Sequence, residues 1–152
     1  MNAIDQQGKF FLTVYRADGK IEDGGVWDNL FVNAGMDYLA TFQSTSPGSV
    51  MNHMHVGTVS TAATLTDTVL GGQVGSRVAM ATRTTAGSNV LTEVATWGGA
   101  TTGITSLVLR EVGVFNHSTS GGTMRSRTVF AAITLGDSDA LRIDYRTTVG
   151  SR

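Results

Sequence analysis

Cysteine is absent from this 152-residue chain, and proline occurs once, in Pro47-Gly48. Without cysteine there is no disulfide framework, no thiolate nucleophile and no cysteine-based metal site. Charge is scarce as well: Asp, Glu, Lys and Arg make up 15% of the residues and the net charge is −1. That balance gives no electrostatic case for nucleic acid or for an anionic membrane. No segment approaches the roughly 20 consecutive apolar residues of a membrane span. The N-terminus, MNAIDQQGKFF, lacks a basic stretch followed by an apolar run, so no signal peptide is expected and synthesis is expected in a cytoplasm.

Glycine, threonine, serine and alanine fill the place that charge leaves. A free-standing soluble monomer normally keeps a charged, mixed surface. The low charge therefore points to a surface partly covered by copies of the chain, with a homotrimer expected, or by a larger lattice. The alternative is a soluble protein whose surface uses Thr and Ser in place of charge. The length suits a single domain, residues 1–152, with Met1 to Gln7 as a polar N-terminal arm.

The plainest pattern is in the last third. Leu141, Ile143, Tyr145, Thr147 and Val149 alternate with Arg142, Asp144, Arg146 and Thr148, the period of a half-buried antiparallel strand. Leu107 to Val149 reads as three such strands, with the loop HSTSGGT returning the chain between the first two. Upstream, Gly8 to Arg16, Gly24 to Asn33, Met51 to Thr58, Arg77 to Thr85 and Val90 to Trp97 also read as extended. Ala17 to Lys20 carries a tight-turn Asp-Gly, and Ala86 to Asn89 a second turn. Ala34 to Ser44 is the helix candidate, capped by Asn33, with Met36, Leu39, Ala40 and Phe42 on one face. Ser60 to Val74 reads as a polar loop with a helical turn at Thr66 to Leu70. About eight strands and one short helix make an all-β protein, an antiparallel β-sandwich of jelly-roll or similar Greek-key type. Leu109, Phe115, Phe130, Ile143 and Tyr145 are the predicted core.

Residues able to do chemistry are few. His53 and His55, two apart on a strand, would face one side and could supply two ligands to zinc or nickel, but the third histidine, His117, is expected in a distant loop. Arg110 and Glu111 interrupt an apolar strand, and Arg127 on the returning strand is placed to pair with Glu111. A buried charge needs such a partner, so a structural ion pair or a subunit-interface pair is expected. Asp137 and Asp139 flank Ser138 in a turn where a hard cation could bind, though a solvated Asx-turn is the simpler reading. The glycines form neither a dinucleotide fingerprint nor a P-loop, and no serine sits in a nucleophile elbow. No catalytic residue, metal site or cofactor is expected, and the chain is read as non-enzymatic. Trp27 and Trp97 are the large aromatics available for a sugar-binding platform.

Three segments, Asn29 to Ala40, His55 to Val74 and Leu109 to Tyr145, together resemble a family of small bacteriophage structural proteins. The carriers in the last segment are Glu111, Gly113, Phe115, Asn116, Gly121, Gly122, Met124, Arg127, Phe130 and Asp139. The resemblance implies virion building material with no active site to transfer. A capsid cement or decoration protein is expected, bound to the major capsid protein on the outer surface of the phage head and stabilising it. A tail-fibre or baseplate component is the alternative. Cement draws its free energy from many weakly bound copies acting together, and a surface of Thr, Ala and Gly packs with little desolvation cost.

Overall fold

The computed structural model describes residues 4–45, 50–84, 89–98 and 102–151. Along these residues run β1 (Ile4–Tyr15), β2 (Ile21–Asp28), β3 (Leu30–Phe31), α1 (Asn33–Thr45), β4 (His53–Gly57) and β5 (Gln73–Ala79). They are followed by β6 (Ala81–Thr84), β7 (Val90–Gly98), β8 (Val108–Phe115), β9 (Met124–Thr134) and β10 (Ala140–Ser151). The strands form two five-stranded sheets. Sheet A has the order β2-β1-β10-β7-β6, sheet B the order β3-β9-β8-β4-β5. Every pairing is antiparallel. The fold is an all-β antiparallel sandwich with one short helix.

Hairpins within a sheet are interspersed with crossings between sheets. β1-β2, β4-β5, β6-β7 and β8-β9 are in-sheet pairs, whereas β2 to β3, β5 to β6, β7 to β8 and β9 to β10 change sheet. Two of these changes split runs that the sequence presents as continuous. The stretch from Gly24 to Asn33 leaves sheet A at Asn29, whose N–H donates to Gly8 O, and resumes as β3 in sheet B. The stretch from Arg77 breaks at Met80, whose N–H donates to Asn52 O. Both runs carry apolar residues on both faces, as a strand needs when it turns a sandwich corner. The expected turn at Ala86 to Asn89 lies, except for Asn89, outside the described residues.

The N-terminal arm requires correction. Ile4 through Gln7 extend β1 and pair with Ser151 back to Thr148 of β10; Met1 to Ala3 lie outside the described residues. This segment is at the margin of sheet A. The antiparallel backbone ladder holds it without needing an apolar face.

Between the sheets, Phe10, Leu12 and Val14 of β1 and Leu141, Ile143 and Tyr145 of β10 meet Met54, Val56, Leu109, Val112, Val114 and Phe130. Phe10 and Tyr145 stack with ring centroids 4.4 Å apart. Phe115 is buried too, but on the other side of sheet B, with Val32, Leu70 and Met124. The cause is an irregularity in the β8-β9 register between Leu109 and Glu111. There β9 advances four residues against two on β8, and the facing of β8 inverts beyond that point. Leu109, Val112 and Val114 therefore point into the sandwich, while Glu111, Gly113 and Phe115 point out of it.

Helix α1 packs on β9, but with a different face from the one its apolar pattern suggests. Gly35 is buried and Tyr38 packs against the core, while Met36 and Ala40 are exposed. Gly35 lies directly over the backbone of Arg125. A glycine adds nothing to a hydrophobic pattern, so the contact face was hidden. The Phe42 side chain lies outside the described residues.

Candidate functional site

The outward-turned half of β8 and its neighbour β9 support a second layer. Glu111 is wholly buried there and Arg127 nearly so, at 3% exposure. Arg127 Nε donates to Glu111 Oε2 at 2.8 Å. The Glu111 carboxylate also accepts backbone N–H groups from Gly71 (3.0 Å) and Gly72 (2.7 Å) and, more distantly, from Val59 (3.4 Å). Arg127 uses its remaining nitrogens on Asp67 Oδ2 (2.7 Å) and the carbonyl of Thr61 (3.0 Å). Asp67 in turn accepts from the N–H and hydroxyl of Thr64. One ion pair on the sheet thus grips both limbs of the loop that joins β4 to β5.

Burial acts to raise the Asp67 carboxyl, but the hydrogen bonds from Thr64 and Arg127 outweigh it and hold the group below the ordinary carboxylate range. Burial acts to lower Arg127, and its bonds to Asp67 and Glu111 more than restore the charged form. Both groups stay ionised, which a buried pair requires if it is to hold backbone donors.

Two glycines make room for this arrangement. A side chain at Gly57 would run into the Glu111 carboxylate and the Gly72 carbonyl. One at Gly113 would strike Leu70, which fills the space between loop and sheet. The loop is therefore tied down although it has no regular secondary structure between Thr58 and Gly72. The helical turn expected at Thr66 to Leu70 is absent, replaced by isolated turns that close through Asp67. Asn33 N–H donates to Leu65 O, joining loop to helix. From this anchored loop Leu65 and Val69 project into solvent, 49% and 53% exposed.

The remaining candidates fall elsewhere. His53 and His55 do share the outer face of sheet B. His55 is buried beside Phe115, with Nε2 bonded to Gly75 O at 3.2 Å, and His53 lies half-buried against Asn52. His117 is remote in sequence but not in space: Arg77 donates to its carbonyl, and His53 feels the charge of both. No group of three or more metal-capable side chains gathers among the described residues. Asp139 is buried, not solvated. It accepts from Gly136 N, Ala17 N and Arg16 Nη1, stapling the β9-β10 turn to the β1-β2 turn. Hydrogen bonds from Gly136 and Arg16 hold its carboxyl low. Asp137 stays exposed. Trp97 is in the core with Nε1 donating to Ser76 O, so it offers no sugar platform, and Trp27 is half-buried.

One buried pair is legible only once the strands are placed. Arg125 Nη2 donates to Glu93 Oε2 at 2.9 Å, bridging sheet B to sheet A inside the sandwich. Glu93 occupies the inward alternation of β7, opposite Tyr145 in register. A glutamate at a core position with an arginine on the facing sheet was the available clue, but it could be read only once the two strands were known to face each other.

Comparison with protein-family models, with curated proteins and with solved structures gives no match. Glu111, Gly113, Phe115, Met124 and Arg127 converge on the loop clamp, and Asn116 accepts the Thr123 N–H that closes the β8-β9 hairpin.

Proposed function

We propose that this chain is a non-enzymatic virion structural protein, a cement or decoration protein that binds the major capsid protein on the outside of a phage head. The observation that carries the reading is the clamped loop: an irregular segment held by a buried ion pair while presenting Leu65 and Val69 to solvent. A buried carboxylate spent on a loop's backbone is costly for a segment with no task. Holding exposed apolar side chains in one conformation removes the ordering cost from each binding event. Many copies on a lattice then add their small contributions. Self-association belongs to the same proposal, since the outer face of sheet A exposes Tyr15, Ile21 and Val26.

Cryo-EM of the particle tests the assignment. Density for this fold on the head, with the 58–72 loop against major capsid protein, is the expected result. Labelling confined to tails overturns it in favour of a tail component. Ser at both Leu65 and Val69, which are exposed, should leave the domain folded but weaken its attachment to the head.

A further inference from the structure

We propose that the cleft between β5 and the β8-β9 loop binds a small hydroxylated carboxylate, such as a sugar acid, through Arg77. The cleft has a volume of about 320 Å³ and is lined by His55, Gln73, Arg77, Ser118, Thr119 and Ser120. That is the small end of ligand sites, with room for one ring and not for a polymer.

Arg77 is a cation in want of an anion. Its guanidinium lies 3.8 Å from the centre of the Phe115 ring. Nη1 donates to the carbonyls of His117 (2.9 Å) and Gly121 (2.8 Å), which fixes the plane of the group. Nε has no hydrogen-bond partner among the described residues. None of the ion pairs there includes Arg77. Arg77 lines the cleft without an ion pair, so its guanidinium is the group there that can meet a carboxylate. His55, 6% exposed, adds a second unsatisfied atom, its Nδ1. Buried polar atoms left without partners are costly, and a bound group or water normally completes them.

The ligand class follows from the rest of the lining. Burial and the neighbouring Arg77 hold His55 toward its neutral form, and burial, Arg77 and His117 do the same for His53. The site therefore has one lasting positive charge, which suits a monoanion better than a phosphate dianion. Hydroxyls of Ser118 and Ser120 offer partners for hydroxyl groups, beside Thr119, whose own hydroxyl is bonded to His117 Nδ1. The cleft is separate from the Glu111 clamp, and its occupancy does not depend on the virion role.

Titration of the full chain with glucuronate, followed by amide chemical-shift changes in ¹⁵N spectra, tests the site. Saturable shifts centred on Gln73 to Arg77 and Ser118 to Ser120 are expected. Glucose should give none, acetate and inorganic phosphate weaker binding. R77Q should raise the Kd about tenfold or more, and S120A, on an exposed loop, about two- to fivefold with the fold intact. Equal binding of acetate or phosphate and glucuronate overturns the hydroxylated-carboxylate assignment. No saturable shift with glucuronate, or undiminished binding in both R77Q and S120A, overturns the site itself.

Discussion

The two sheets share one core, yet their outer faces are built in opposite ways. Sheet B is covered: α1 and the 58–72 loop lie over it, and its outward side chains include the buried Glu111, Phe115 and Arg127. Sheet A is bare. Its outward charges form surface pairs, Lys9 with Asp28 and Arg142 with Asp144, and Arg146 lies over Phe11. The same alternation produces both faces, so the difference lies in what covers them. On sheet B a carboxylate out of water gathers three backbone N–H groups and a guanidinium; on sheet A the solvent screens the pairs and leaves them worth little.

The sharpest way to break this contrast is to remove the Glu111 carboxylate. Glu111→Ala strands a buried guanidinium and frees the glycine N–H groups, so a loss of about 3–5 kcal/mol is expected in denaturant unfolding. Phe130→Ala gives the scale of the common core: about 3–5 kcal/mol, for a side chain buried between the sheets. A Glu111 effect well below the Phe130 one would mean that the loop is not held by the pair.

Acid should loosen the covered face of sheet B in a defined order. His55 is held below 6.5 by burial, so the unfolded chain protonates first, and stability should begin to fall as pH drops below about 6.5. Asp67 is held below 3.8, so its contribution is complete above that pH and is lost as pH falls through the depressed native value. Thermal melts from pH 8 to 3 should show both windows, with Asp67→Asn flattening the lower one. The smallest effect is expected on the bare sheet. Ile21→Thr should change stability by no more than about 0.5 kcal/mol, because the side chain is already in water. A larger loss would mean that this face is covered in solution.

Much of the architecture was legible from alternation. The strand pattern of Leu141 to Val149 needed no tertiary knowledge, and a charge inside an apolar strand was enough to pair Glu111 with Arg127. What stayed hidden depends on contacts far along the chain. The β8 irregularity that turns Phe115 outward has no local marker, and Asp67 joins Arg127 across sixty positions. Asp139 looked like a solvated turn residue because Arg16, its partner, lies at the other end of the sequence. The helix face was misread because Gly35, the closest contact with β9, is silent in any hydrophobic pattern.

The most direct measurement of the clamp is amide hydrogen exchange at Gly71 and Gly72, in the wild type and in Glu111→Gln. These loop amides lie at the surface yet donate to a buried carboxylate. Protection comparable to that of the β8 amides in the wild type is predicted, lost in Glu111→Gln while the β1 and β10 amides stay protected. Fast exchange at Gly71 and Gly72 in the wild type would contradict the account.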